Sequence, residues 1–268
     1  MSSTDNVDDN LDSAASLVRQ AVAEGASLVS LPENFALMPL APQDLVQCAW
    51  DREQEIDTYL AELARAEGVI LLAGSFPARS PDSDRIYGSC RAYGGDGARL
   101  ARYDKMHLFD VNVGDGQRYQ ESDYTYPGDS IQCVDTPVAR IGLSICYDMR
   151  FPELYRCLTD MGAVLFNIPS AFTVPTGIAH WEVLLRARAI ENLAFVMAPA
   201  QWGRHTSGRE TFGHSMIIDP WGRILACRES GVGVCLTEIE LNQVAQVRSR
   251  FPALSHRRLS KQEHGENE

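Results

Sequence analysis

The stretch IGLSICYDMRFPEL, residues 141–154, decides the reading of this chain. An apolar strand runs directly into Cys146, and Pro152 opens a helix within six residues, a residue suited to the first helical turn. A thiol at such a strand-to-helix elbow is expected to face solvent, with its pKa lowered by nearby backbone N–H groups and the helix dipole. The plain alternative is that Cys146 is one more buried small residue among seven cysteines. A rival nucleophile sits two residues earlier. GLSIC (142–146) half-matches the G-x-S-x-G elbow with Ser144 in the nucleophile position. Cys146 stands where that motif needs its second glycine for the tight turn, so the serine reading fails.

Outward from the elbow, strands and helices alternate. Asp9 or Asn10 is expected to cap a helix carrying Leu11, Ala14, Leu17, Val18, Ala21 and Val22 on one stripe and ending at Gly25. SLVSL (27–31) and VILLAG (69–74) read as buried strands, separated by helical composition over 43–67 with Gly68 as its stop. IYGSCRAY and ARLARYD form a hairpin across GGDG, and IQCVD and VARIGLSIC flank a Thr136-Pro137 turn. The pattern then predicts a helix from Pro152 to about Met161, a strand at AVLFNIP, a helix over 180–193 and a strand at AFVMAPA. A hairpin around DPWG, a last strand at GVCLTEIEL and a short helix over 242–250 complete the series. There is no internal repeat or composition shift. The expectation is one α/β domain over 1–255 with a polar tail over 256–268, its continuous apolar strands covered by helices.

Two more polar residues share the placement of Cys146. Glu33 follows the strand SLVSLP, and Lys105 follows ARLARYD. Side chains at strand ends converge on one edge of a sheet, a common setting for active sites. Lys105 stands out further because the only other lysine is Lys261, against 22 arginines. A compact ammonium whose pKa shifts on burial does what a guanidinium does not. The three groups make a coherent set: the glutamate takes the thiol proton, the lysine holds a developing oxyanion, and the thiolate attacks.

LPENF around Glu33, YDKMHLFD around Lys105 and SICYDMRFPEL around Cys146 resemble the three signatures of the nitrilase superfamily of carbon–nitrogen hydrolases. They occur in that family's order, with spacings of 72 and 41 residues, and the resemblance covers nearly the whole chain. It implies a four-layer αββα sandwich whose protomers pair into a homodimer, with no metal or organic cofactor. It places the nucleophile, general base and oxyanion lysine on Cys146, Glu33 and Lys105, and a second active-site glutamate on Glu121 in RYQESDYTYPGD. The implied chemistry is attack of Cys146 on an amide carbonyl, with the oxyanion held by Lys105 and the backbone N–H of Tyr147. Glu33 passes a proton to the leaving amine and then activates water against the thioester. Glu121 positions Lys105 or the substrate.

The segments PSAFTVPTGIAHWEVLLRARAIEN, APAQWGRH and GHSMIIDPWG are most similar to the branch that holds deaminated glutathione amidases. The neighbouring ω-amidase branch, acting on 2-oxoglutaramate, also carries a CYDMRF core, and another aliphatic amidase or a nitrilase is the remaining enzymatic alternative. A catalytically silent scaffold of the same fold would fit a chain lacking Glu33, Lys105 or Cys146, and all three are present. His180 and Trp181, placed at a helix start beside the PSAF strand end, and Thr173 and Thr176 in the loop before it, are candidate pocket walls. Arg150 is expected to pair internally with Asp148 or Glu153 in preference to binding a substrate carboxylate. His107 and His214 read as structural, and Cys48, Cys90, Cys133, Cys157, Cys227 and Cys235 as packing residues. One departure from the family pattern is the lack of a hydrophobic strand ahead of MSSTDNVDDNL. The expectation is a natural start upstream of Met1, or a truncated reading of the gene, because losing an interior strand strips its neighbours of ladder hydrogen bonds and opens the core.

Composition narrows the partners. Thirty-six acids against 24 bases, net charge −12, argue against nucleic acid as a partner. No segment approaches the roughly 20 apolar residues of a membrane span, and the acidic start does not read as a signal peptide. An odd number of cysteines without a CxxC pair fits neither a disulfide framework nor a zinc cluster, so the expected setting is the reducing cytoplasm.

Overall fold

The computed structural model describes residues 1–113 and 118–259. The end of the expected polar tail, 260–268, and residues 114–117 therefore lie outside the described residues. Helix α1 (Val7–Ala23) starts earlier than the apolar stripe predicts. Its cap is Asn6, whose side chain accepts from the backbone N–H groups of Asp8 (2.9 Å) and Asp9 (3.2 Å). Asn10 is buried instead and donates to the carbonyls of Thr4 and Ala36, which ties the N-terminal residues to the loop after the first strand. Strand β1 (Leu28–Ser30) precedes α2 (Pro42–Glu67), which starts on a proline and stops at Gly68 in the left-handed region, φ 62°.

Strands β2 (Ile70–Leu72), β3 (Phe76–Arg79), β4 (Ile86–Tyr93) and β5 (Arg99–Asp104) complete the first sheet, ordered β1-β2-β4-β3 with β5 along the other side of β4. A small hairpin of β6 (Asp110–Asn112) and β7 (Arg118–Gln120) follows, absent from the sequence reading. The second sheet comprises β8 (Cys133–Asp135), β9 (Arg140–Leu143), then after α3 (Pro152–Asp160) β10 (Leu165–Asn167). After α4 (Val174–Asn192) come β11 (Phe195–Ala198), the hairpin β12 (Trp202–Arg204) and β13 (Glu210–Phe212), then β14 (Ser215–Ile218), β15 (Ile224–Arg228) and finally α5 (Asn242–Arg250). The order in the second sheet is β15-β14-β11-β10-β9-β8, parallel through β9, β10 and β11 and antiparallel beyond.

The sheets face one another, with Ser30 Oγ donating across the gap to Asn167 Oδ1 at 2.7 Å. One apolar core gathers Leu72, Cys90 and Tyr103 of the first sheet with Leu143, Phe166 and Phe195 of the second and Leu185 of α4. A second core lies between the first sheet and α1 and α2, built on Val18, Ile56, Leu60 and Leu71. Helices thus cover the outer faces of both sheets, and the chain has the expected four-layer αββα arrangement.

Two elements depart from expectation. Helix α4 begins six residues before position 180, because Thr173 is extended and Pro175 occupies the first turn. His180 and Trp181 therefore lie inside the helix and not at its start. GVCLTEIEL forms no strand. β1 has a partner on one side only, and beside its open edge lies a cleft of about 630 Å³ bordered by Met1, Leu28, Val29, Met197, Val234 and Leu236. Residues 233–239 and Leu241 line that cleft without reaching a ladder partner, and a strand without a partner has nowhere to place its N–H and C=O groups.

Candidate active site

Three strand ends deliver the chemistry to one place. β9 ends at Leu143, and after Ser144 and Ile145 the chain reaches Cys146 with φ at +47°, a left-handed conformation rarely held by a residue with a Cβ. A tight turn over Cys146–Arg150 follows, and the Cys146 N–H donates to Pro169 O at 2.9 Å. Ser144 is fully buried and committed to Tyr155 Oη (2.8 Å) and Asn167 O (2.9 Å), so it offers no competing nucleophile.

Asp148 holds the elbow. One of its oxygens accepts from the Ile145 N–H (2.8 Å) and from Tyr103 Oη (2.7 Å), the other from the His107 N–H (3.0 Å), with His107 Nδ1 at 2.7 Å. Tyr103 and His107 flank Lys105, so a single buried carboxylate joins the nucleophile turn to the lysine strand. With Asp148 so engaged, the expected pairing of Arg150 with it or with Glu153 does not occur. The Arg150 guanidinium instead lies over the Tyr147 and Phe172 rings and donates to His180 Nδ1 at 3.3 Å.

Lys105 Nζ is 2.9 Å from Glu33 Oε1 and 2.9 Å from both carboxylate oxygens of Glu121. Glu33 Oε2 accepts from the Ala171 N–H at 2.8 Å, and Glu121 Oε2 accepts from the Phe109 N–H at 2.6 Å. Gln201 braces the glutamate loop by donating to the carbonyls of Glu33 (3.1 Å) and Asn34 (3.3 Å). Lys105 and Glu33 are almost completely buried, at 3% and 5% exposure.

The electrostatics follow from that burial. Desolvation pushes the Glu33 carboxyl up, but the Lys105 charge, hydrogen bonds from the Cys146 thiol and from Lys105, and the Arg209 charge outweigh it, leaving the group below its ordinary value. Glu121 goes the other way, raised by burial and by the Glu33 charge against the pull of Lys105. Burial works against the Lys105 ammonium, yet Glu121 and Glu33 hold its pKa well above the usual value, so it stays charged. The Cys146 thiol is raised well above its ordinary value by burial and by the Glu33 charge. This reverses the expectation of a solvent-facing thiol with lowered pKa: Cys146 is 8% exposed, and a carboxylate lies against it. The resting sulfur is a protonated thiol hydrogen-bonded to an ionised carboxylate.

A cavity of about 80 Å³ opens at this point. Glu33, Lys105, Glu121 and Cys146 line it, together with Tyr147, Thr173, Thr176, the aromatic rings of Phe109, Tyr119, Tyr124 and Phe172, and Arg209. His180 and Trp181 are not part of its lining. Trp181 is buried against Phe172 and donates to His214 O at 2.8 Å. Arg209 was not anticipated; it sits at the end of the β12–β13 return, just before β13, where no local pattern marks it. Among the described residues no three His, Cys, Asp or Glu side chains are grouped to hold a metal ion.

A buried thiol, a carboxylate able to take its proton and an ammonium beside both form a constellation for acyl transfer from nitrogen. Residues 1–249 match the carbon–nitrogen hydrolase family, and the chain belongs to that family, within the nitrilase superfamily. It is a hydrolase of amides. Among its relatives, a Synechocystis protein named deaminated glutathione amidase is 45% identical over 260 residues, covering 96% of this chain and 95% of that one. The human protein of the same name is 42% identical over 262 residues, covering 96% of this chain and 80% of that one. The crystal structure of the Caenorhabditis elegans NitFhit protein superposes with a TM-score of 0.91 at 40% identity. That match covers 96% of this chain, which spans 63% of the NitFhit chain. Yeast Nit3, described as a member of branch 10 of the nitrilase superfamily, gives 0.85 at 31% identity, covering 96% and 93% of the two chains.

Proposed function

We propose that this protein is a cysteine amidase that hydrolyses deaminated glutathione, releasing 2-oxoglutarate and cysteinylglycine. The observation that carries the mechanism is the buried chain Cys146–Glu33–Lys105–Glu121, joined end to end by hydrogen bonds. Glu33 takes the thiol proton as Cys146 sulfur bonds to the amide carbon, because a thiol raised by burial needs a base beside it to become a nucleophile. The carbonyl oxygen becomes an oxyanion next to the Lys105 ammonium and the Tyr147 backbone N–H. Glu33 returns the proton to the nitrogen, the C–N bond breaks and the amine leaves, with the acyl group held as a thioester. A water then gives its proton to Glu33 and its hydroxide to the thioester carbon. The C–S bond breaks, the thiolate recovers the proton, and the carboxylic acid leaves. Glu121 keeps the ammonium in place throughout.

Identity of 45% with relatives named for deaminated glutathione supports the substrate, and Tyr147 and Thr173 in the cavity lining are the residues proposed to meet it. Residues 1–255 are proposed to act as one catalytic unit. Among the described residues no helix is long and apolar enough to cross a membrane, and seven cysteines without a disulfide support a cytoplasmic setting. Ile178, Val183 and Ile190 stand exposed along α4, at 73%, 68% and 46%, and support pairing of two copies through that helix; sedimentation at micromolar concentration reads the dimer.

Hydrolysis of deaminated glutathione and 2-oxoglutaramate, measured side by side with wild type and Cys146→Ala, tests the function. Preference for the first compound, abolished by the substitution, is the expected result. Preference for the second moves the enzyme to ω-amidase chemistry, and equal turnover by Cys146→Ala refutes the thioester route.

A further inference from the structure

We infer that Arg209 selects substrates whose acyl group ends in a second carboxylate, by binding that carboxylate inside the cavity. The inference rests on the amidase reading above and assigns a residue to the acyl end that the leaving group does not touch. Arg209 lines the same cavity as Cys146, Glu33 and Lys105. Its Nη2 donates to Ala171 O at 2.7 Å, while the N–H of Ala171 holds Glu33 Oε2 at 2.8 Å, so the backbone of a single residue ties the guanidinium to the base. Its Nε is buried and donates to nothing. A buried N–H without an acceptor is costly, and of the three buried side-chain polar atoms left without a partner among the described residues (Ser89 Oγ, Arg91 Nε and Arg209 Nε) only that of Arg209 belongs to a residue lining this cavity.

The charge balance points the same way. Around the thiol stand two carboxylates and one ammonium, and that ammonium is committed to both carboxylates at 2.9 Å. An anionic acyl group entering here meets repulsion from Glu33 and Glu121 unless a further cation receives it. Among the described residues no carboxylate pairs with Arg209, and the planar fork of a guanidinium accepts a carboxylate through two parallel bonds. The other arginine near the site, Arg150, is stacked on Tyr147 and Phe172 and donates to His180, outside the cavity lining. Arg209 also adds its charge to the groups that hold Glu33 ionised, as a cation beside the base must.

The test is the ratio of kcat/KM for 2-oxoglutaramate to that for pentanamide, an amide of the same chain length ending in a methyl group. Wild type is expected to prefer the carboxylated amide strongly. Arg209→Met should lower the ratio about 100-fold, chiefly through KM, and Arg209→Lys should restore part of it. An equal loss on both amides in Arg209→Met overturns the inference and makes the residue structural. A second measurement needs no variant: glutarate should slow alkylation of wild-type Cys146 by iodoacetamide while 1,5-pentanediol does not, and equal protection by the two also overturns it. The two proposals fail separately. If wild type ignores deaminated glutathione but keeps the carboxylate preference and loses it in Arg209→Met, the substrate above is wrong and Arg209 stands. If deaminated glutathione is cleaved and the ratio is unmoved in Arg209→Met, the substrate stands and Arg209 does not.

Discussion

Asp148→Asn is the substitution that most sharply tests how the elbow is held, since it keeps the shape and removes acceptors. The carboxylate receives the Ile145 N–H and Tyr103 Oη on one oxygen and the His107 backbone N–H on the other, with His107 Nδ1 beside the latter. Burial and the Asp148 charge raise the Tyr103 phenol well above its usual value, so it remains a donor. An asparagine has one accepting oxygen. Turned either way, its NH₂ group faces a backbone N–H, of Ile145 or of His107, and that donor is orphaned in a site fully closed to solvent. An orphaned buried donor costs about 1–3 kcal/mol, and each lost hydrogen bond to a charged group about 1.5–3 kcal/mol. The sum of one orphan and one such bond is about 2.5–6 kcal/mol, against a typical total stability of about 5–15 kcal/mol. Urea unfolding at pH 7 should therefore show a loss of about 2.5–6 kcal/mol. Because the same carboxylate ties residues on both sides of Lys105 to the Cys146 turn, kcat should fall as well, by about 100-fold for a displacement near 1 Å. Stability within about 1 kcal/mol of wild type, with kcat within about threefold, would show that the elbow does not depend on this network.

Four further outcomes follow from the site and its packing. Glu33→Gln should lower kcat by about 10³-fold while leaving a cooperative unfolding transition, as removal of a general base does. Because the folded-state value of Glu33 lies below the ordinary one, wild-type kcat/KM should hold as pH falls through the usual glutamate range and drop only below it; a drop centred above pH 6 contradicts the assigned ionisation. Alkylation of Cys146 by iodoacetamide in the free enzyme should rise with pH only on the alkaline side of an ordinary thiol, since burial and the Glu33 charge raise its value, and an inflection below pH 7 would contradict a protonated resting thiol. Gly177→Ala should destabilise the fold by about 1–3 kcal/mol, since the added Cβ would lie 2.2 Å from Phe212 Cγ, where α4 packs on β13; an unchanged melting temperature refutes that fit.

Glu33, Lys105 and Cys146 were legible because each is announced locally: a buried apolar run stops, and a polar residue of distinctive type follows. Strand ends are set by short-range pattern, and the pairing of β1 and β5 within one sheet and of β9 within the facing one brings those ends together without further information from the side chains. What could not be read depends on neighbours far along the chain. GVCLTEIEL carries a strand pattern, yet a ladder needs a partner, and the open edge of β1 faces a cleft instead. The elbow suggested a lowered thiol pKa, but burial and a carboxylate contributed from 113 residues away decide its sign. Arg209 was invisible for the same reason. Its hairpin has no alternating pattern, and its meaning comes from Ala171, Glu33 and Cys146, three segments that meet only in the fold. The division is physical. Groups that make and break bonds must be chemically distinctive residue types at the ends of regular elements, which leaves a local trace. Groups that tune or select act through distance and burial, which single-sequence pattern does not carry, and it is in these that members of one fold with one nucleophile can differ in substrate.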